Sequence, residues 1–163
     1  MSDREIKDRV RDIECPVFET TAFTKPPALE TATVAMVTSA SLHHPEQGDF
    51  APRDTTYRVL DGSRRDYIVG HWSPNFDTAG VAVDINVIFP IDRLDELAAQ
   101  GRIGKVADQH LAYAGNQWDV AEIRMDGGPA GAALLREQGC RCRAPHTGLT
   151  ALHAYGQYAG TRV

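Results

Sequence analysis

The sequence predicts an α/β fold, with a single layered domain in which helices flank a mostly parallel sheet. Apolar, β-branched runs that are typical of buried strands alternate along the chain with amphipathic segments that carry helix-capping signals. The length of 163 residues suits one domain with a substantial core. We expect residues 1–139 to form this domain, and residues 140–163 to be an aberrant or disordered tail in which the last strand, loop and helix are missing.

Four strands are predicted, at residues 33–40, 57–60, 67–72 and 81–89. The first lies in TVAMVTSASL, a continuous apolar run of the kind found in strands buried on both faces. The second and third are the short runs YRVL and DYIVGHW. The fourth, VAVDINVIF, alternates apolar and polar residues and places Asp84 and Asn86 on its polar face.

Three helices are predicted, at residues 3–14, 92–100 and 128–139. Asp92 is the predicted N-cap of the second helix, and Gly101 the residue that ends it. In the third helix Pro129 lies near the start and Gly139 at the C-terminal end, which is the usual placement of both residue types.

Composition and charge exclude several classes of function. The net charge of -5 argues against a nucleic-acid partner, because phosphate binding requires a basic patch. No apolar run approaches a membrane span, and the charged segment MSDREIKDRVRDIE does not resemble a signal peptide. Cys15, Cys140 and Cys142 form an odd and sparse set of cysteines, which favours a reducing cytoplasm over a disulfide framework.

The chain loses its apolar periodicity after Gly139, where an α/β domain requires a further strand. The segment that follows contains Cys140 and Cys142 in a CxC arrangement, which is a candidate catalytic dithiol or half of a metal site. No second ligand pair has the spacing of a zinc site, so no metal is predicted.

Polar residues that could contact a substrate are concentrated in the middle of the chain. They could orient an amine or a carboxylate, or supply a proton, and the alternative is that they are buried groups fixing loop geometry. For Arg93, the positively charged residue among them, the alternative is that it lies on a helix and forms an ion pair. The candidates are His71, Asn75, Asp77, Asp84, Asn86 and Arg93.

His43 and His44 lie in a segment rich in breakers, beside Glu46 and Asp49. A metal site is one interpretation of these residue types. An exposed polar loop is the favoured one.

The segment HWSPNFDTAGVAVDINVIFPIDRLDELAAQGRIGKVADQHLAYAG resembles the selenoprotein B family of glycine, sarcosine, betaine and D-proline reductases. The pieces ECPVFETTAF, VAMVTSASLHH and YRVL match the same family in the same order, so the resemblance covers roughly residues 10–139. It implies an oxidoreductase that reductively cleaves a C–N bond of an amino-acid-like amine. It also implies a dithiol donor, partner reductase subunits and a selenocysteine, with no other cofactor in this chain.

In that family a strand similar to GVDAVLL follows the last helix, and a loop then carries selenocysteine, two residues and cysteine. Starting from the second base of the Cys140 codon, this chain can be back-translated as VDAVLLTPV, a TGA across Leu149 and Thr150, and then PRC. The hypothesis is that residues from about Cys140 are translated out of frame past a selenocysteine codon. The chain would then be inactive. The alternatives are a non-catalytic structural or partner-binding relative of that family, and a thiol or metal protein that uses the CxC pair.

Overall fold

The computed structural model describes residues 26–71, 78–115 and 121–140, together with Phe76, Gln117 and four N-terminal residues. Those four, Arg4, Glu5, Asp8 and Arg11, are helical. The rest of the helix predicted at 3–14 lies outside the described residues, and so does the tail after Cys140.

Seven strands and three α-helices make up the described fold. The strands are β1 Thr33–Val34, β2 Val37–Thr38, β3 Leu42–His43, β4 Tyr57–Asp61, β5 Ile68–Val69, β6 Lys105–Val106 and β7 Gln109–Tyr113. The helices are α1 Ala79–Val83, α2 Ile91–Ala99 and α3 Gly128–Glu137. Short 3₁₀ turns occupy Leu29–Thr31, Pro45–Gln47 and Ile85–Val87, and a π turn at Ile123–Gly127 leads into α3.

The strands pair in both directions. β1 runs parallel to β6, and the same two segments continue as the parallel pair of β2 and β7. β4 lies antiparallel on the other side of β7, and β3 pairs antiparallel with β5. The α/β class is therefore confirmed, but the sheets are small and mixed instead of forming one mostly parallel sheet.

The strand predicted at 33–40 is interrupted. Between β1 and β2 the backbone N–H of Met36 donates to Nδ1 of His110 over 2.9 Å, so a side chain takes the place of a backbone acceptor. After β2 the chain turns at Ser41, whose φ of 55° lies in the left-handed region, and continues as β3. A long-range histidine contact thus divides a run that the sequence predicted as one strand.

The strand predicted at 81–89 is wrong. This segment forms α1 and a 3₁₀ turn in which the carboxylate of Asp84 accepts from the N–H of Asn86 over 2.9 Å. Of the alternating apolar residues only Phe89 is fully buried, whereas Val83 and Val87 are 89% and 65% exposed. The segment forms a short Asx turn although its apolar residues alternate as in a strand. Asp and Asn side chains compete with the backbone for hydrogen bonds and thereby favour such turns.

Three other predictions are refined. The strand YRVL is confirmed as β4, while the strand predicted at 67–72 is only β5. The second helix is α2, followed by Gly101 at φ 67°, but Pro90 and not Asp92 is its N-cap. The last helix is α3, with Pro129 in its first turn and Gly139 at φ 82° after its end.

The core lies on both faces of β7. Leu60, Phe89 and Ala112 belong to the cluster on one face, whereas Leu111 and Tyr113 pack toward α3 on the other. Gly131 allows α3 to approach, because a Cβ at this position would overlap the hydroxyl of Tyr113. β7 is therefore the central strand on which the remaining elements are assembled.

Candidate functional site

His71 lies at the carboxyl end of β7. Its ring stacks on Phe76 with 4.2 Å between the ring centroids. The same ring packs so closely on Gly115, just beyond β7, that a Cβ there would overlap it. Partial burial lowers the pKa of His71, so the imidazole is neutral at pH 7. The neighbouring candidates Asn75 and Asp77 lie outside the described residues.

Asp84 and Asn86 are brought together in one hydrogen-bonded group. Nδ2 of Asn86 donates to the carboxylates of Asp84 and Asp92, over 2.8 Å in each case. Oδ1 of Asn86 accepts from the backbone N–H of Asp92 over 3.1 Å. The side-chain nitrogen and the side-chain oxygen of Asn86 are therefore both hydrogen-bonded. These bonds connect the turn before α2 to the first turn of that helix.

Two arginines form ion pairs with acidic side chains of α2. Arg65 donates to Asp92 over 2.8 Å and to Asp95 over 3.0 Å. Arg93 pairs with Glu96 of the same helix at 2.8 Å. The structure thus assigns local partners to Asp84, Asn86 and Arg93, and a substrate contact by any of them stays a prediction.

Cys140 follows α3 and is buried, with 6% of its surface exposed. Its backbone N–H donates to the carbonyl of Leu135 over 3.0 Å, which closes the end of the helix. A buried thiol in such a position is poorly accessible for redox chemistry. Cys142 and the Leu149–Thr150 junction lie outside the described residues.

The favoured interpretation of His43 and His44 as an exposed loop is wrong, because both side chains are buried. Nδ1 of His43 lies 3.1 Å from the carbonyl oxygen of His44, and a carbonyl can only accept, so Nδ1 carries the hydrogen. Nε2 of His43 then faces a carboxylate oxygen of Asp49 at 3.3 Å. The pairing of β3 with β5 encloses both rings.

His44 is held in one tautomer. The backbone N–H of Asp61 donates to its Nε2 over 3.0 Å, so the hydrogen resides on Nδ1. Nδ1 lies 3.7 Å from Asp66, beyond hydrogen-bonding distance. Burial, assisted by the charge of Arg64, lowers the pKa of His44, and the ring is neutral at pH 7.

An open cleft of about 350 Å³ adjoins this histidine. Arg64 is held there by Glu46 and by Asp66, which accepts from its Nε over 2.8 Å. This pairing lowers the pKa of Asp66 to about 2. The three carboxylates that line the cleft outnumber its one guanidinium, so the cleft carries a net negative charge. Such a charge suits a protonated amine. The lining residues are His44, Glu46, Val59, Asp61, Arg64, Asp108 and Gln109.

Within the described part of the chain, no group of three or more His, Cys, Asp or Glu side chains is arranged to hold a metal ion. The sequence predicted neither the burial of His43 and His44 nor the cleft beside them. Their signal in the sequence is limited to Leu42, the apolar residue that directly precedes His43.

A third histidine, His110, is buried in β7. Its Nδ1 accepts from Met36, and its Nε2 has no hydrogen-bond partner in the part of the chain that is described. The ring packs edge-on against Phe89 with 5.3 Å between centroids. Burial lowers the pKa of His110 to about 4, because the charged ring would lose its hydration.

Stability is expected to fall as pH falls from 7 to 5. The unfolded chain takes up a proton on His110 near its ordinary pKa of about 6.5, whereas the folded protein does not until about pH 4. This difference removes roughly 2 kcal/mol of unfolding free energy, measured by urea denaturation at both pH values. His110→Asn keeps an acceptor for Met36 and should reduce the pH dependence by that amount. An unchanged dependence would contradict this account.

Comparison with known proteins indicates a relationship. The chain is 34% identical over 114 residues to the D-proline reductase subunit gamma of Acetoanaerobium sticklandii. The two proteins are therefore related over this region. The matched region covers 68% of this chain and 46% of the relative, so the chain spans about half the length of the relative. The name of the relative describes it as one subunit of a reductase.

No protein-family pattern matches the chain, and no solved structure matches it. Among the helices that the structure describes, none is long and apolar enough to cross a membrane.

Proposed function

We propose that this chain is a reductase domain of the selenoprotein B type, which reductively cleaves a C–N bond of an amino-acid-like amine. The single observation that carries the proposal is the 34% identity over 114 residues to a D-proline reductase subunit. The family resemblance over residues 10–139 supports it. In this proposal the domain acts in the cytoplasm with partner reductase subunits.

The reaction needs a reductant. Cleaving the C–N bond and forming C–H and N–H bonds consumes two electrons and two protons, which a dithiol supplies as it becomes a disulfide. In the family a selenocysteine would supply a nucleophile that is ionised at neutral pH. This chain has no selenocysteine, and its buried Cys140 does not fit that role. The chain as it stands is therefore inactive in this proposal.

Within the same proposal the substrate's amine and carboxylate are bound by side chains of the middle segment. His71 is neutral and able to accept a proton. Arg93 is paired with Glu96, so it would have to break this ion pair in order to bind a substrate carboxylate. The full set of proposed binding residues is His71, Asn75, Asp77, Asp84, Asn86 and Arg93.

We further infer that the residues from about Cys140 onward are translated in a shifted frame. Sequencing the gene across codons 139 to 152 tests this directly. We expect the shifted frame to encode VDAVLLTPV followed by TGA, which spans the last two bases of the Leu149 codon and the first base of the Thr150 codon. Synonymous codons that exclude TGA in that frame would overturn the inference.

A second candidate function is a non-catalytic relative that binds partner subunits. The exposed apolar side chains of Val83 and Val87 favour it, as does the description of the relative as a subunit. A thiol or metal protein that uses Cys140 and Cys142 is the remaining alternative. Metal analysis of the purified chain separates these two, because bound zinc that is lost in Cys142→Ser would support only the last one.

A further inference from the structure

The cleft beside His44 and the side chain of His71 lie at opposite ends of β7. Gln109, the first residue of β7, lines the cleft, whereas Gly115, just beyond the last residue of the strand, packs on the ring of His71. The extended chain between Gln109 and Gly115 spans about 20 Å. A molecule in the cleft therefore does not reach His71, and the two places can be occupied independently.

Two carboxylates of the cleft form no ion pair with a lysine or arginine in the described part of the chain. Asp61 ends β4 and Asp108 precedes β7, and the N–H of Gly62 donates to the carbonyl of Asp108 over 2.9 Å. The hydroxyl and the N–H of Ser63 donate to Oδ1 of Asp61, which lowers the pKa of Asp61 and keeps it charged at pH 7. The one guanidinium of the cleft is held by two other carboxylates.

The side chain of His44 supplies a hydrogen-bond donor. Its Nε2 accepts from the N–H of Asp61, so the hydrogen lies on Nδ1. Only 4% of the side chain is exposed, and Nδ1 forms no hydrogen bond within the described residues. This edge of the ring faces Asp66, which is paired with Arg64 on the wall of the cleft. A buried N–H without an acceptor is destabilising, and a ligand oxygen would relieve it.

The charges and the donor together define the chemistry of a ligand. A protonated amine donates to the carboxylates of Asp61 and Asp108, and a neighbouring oxygen atom accepts from Nδ1 of His44. The oxygen should be uncharged, because the net negative charge of the cleft repels a further carboxylate. An amine with a neutral carbonyl group on the next carbon meets both requirements, whereas a free amino acid brings an additional negative charge.

We propose that the cleft binds an ammonium group whose neighbouring carbon carries a neutral carbonyl, as in an amino-acid amide or at the N-terminus of a peptide. Asp61 and Asp108 bind the ammonium group, and His44 binds the carbonyl oxygen. This site is distinct from the substrate residues of the proposed reductase, and it requires neither selenocysteine nor any residue after Cys140. Binding is measured without turnover, so its failure and the failure of the proposed reductase are distinguishable.

NMR titration of the isotope-labelled full chain tests which chemical groups the cleft recognises. Glycinamide has both groups, ethylamine lacks the carbonyl, glycine adds a carboxylate, and N-acetylglycinamide lacks the charged amine. Glycinamide should shift the signals of the His44 ring and of the Asp61 amide that is bonded to it. Ethylamine and glycine should bind roughly tenfold more weakly, and N-acetylglycinamide should not bind over the same concentration range. Equal binding of glycinamide and N-acetylglycinamide would overturn the proposal.

Replacing Asp108 by asparagine tests the location of the site. Asp108 is exposed, so the variant should fold, which urea denaturation checks. Its affinity for glycinamide should fall roughly fivefold, because one charged acceptor is lost. Asp126→Asn is the matched control and should bind as the unaltered chain does, since Asp126 is also exposed and lies in the π turn beside the other end of β7. Equal affinities of the two variants would place the ligand outside the cleft and refute the proposal.

Triglycinamide distinguishes the two sources of this chemistry. If the peptide binds at least as tightly as glycinamide, the natural ligand is a peptide N-terminus. If glycinamide binds more tightly, the ligand is a small amide. Both results support the proposed site, provided that Asp108→Asn weakens the binding. The absence of binding by both compounds would show that the cleft does not recognise this group.

Discussion

The chain as it stands is expected to form no product from glycine, betaine or D-proline with dithiothreitol as reductant. The reason is that no selenocysteine is present and that Cys140, the cysteine within the described residues, is buried. The measurement is product formation compared with a Cys140→Ser, Cys142→Ser double variant. Turnover above that variant would show that the CxC pair is reactive, and would favour the thiol alternative.

Restoring the shifted frame with selenocysteine at the TGA is expected to create dithiol-dependent turnover of one of these amines, in the presence of the partner subunits. Cysteine at the same position should be slower by roughly 30-fold at pH 7, because a thiol with a pKa of about 8.5 is only a few per cent ionised there. Serine at that position is the matched control and should be inactive. Equal rates for serine and selenocysteine would refute the proposed reductase.

Replacing Phe89 by alanine is expected to lower the free energy of unfolding by about 3–5 kcal/mol. Phe89 is fully buried, and its ring meets the rings of Tyr67 and His110 with 5.1 and 5.3 Å between centroids. Its removal leaves a cavity where β5, β7 and the start of α2 converge. Since domains of this size are stable by only about 5–15 kcal/mol, the loss is a large fraction of the total.

Urea denaturation of both proteins measures this effect. The matched control is Val83→Ala, because Val83 is apolar, lies in the same segment and is 89% exposed. The control should change the free energy of unfolding by less than about 0.5 kcal/mol. A Phe89→Ala variant as stable as the control would show that this segment does not pack as described.

The similarity to the D-proline reductase subunit supports the relation to a reductase that the middle segment predicted, whereas the selenoprotein B type stays a prediction. Signals from neighbouring residues in the sequence also predicted several elements of the fold. Gly101 and Gly139 marked the ends of α2 and α3, and both have positive φ. These features are predictable because a helix end is determined by the residues within one turn of it.

Other features depended on contacts that are distant in the sequence. The alternation in VAVDINVIF is compatible with a strand, but no partner strand pairs with it in the described structure, and Asp84 turns it into a helix and a 3₁₀ turn. His43 and His44 looked like loop residues, and the pairing of β3 with β5 buried them. The prediction of one mostly parallel sheet was also wrong, because periodicity specifies which face is buried and not which neighbour is parallel.

The sequence by itself determined the α/β class, the ends of α2 and α3, strand β4 and the relationship to the reductases, because each of these depends on local chemistry or on a long stretch of residues. Only the tertiary structure decided that the run from Thr33 is divided by His110, and that Gly139 at the end of α3 lies beside Thr33. Both depend on residues that are about 75 to 105 positions apart in the chain, and such pairs are brought together by packing and not by local propensity.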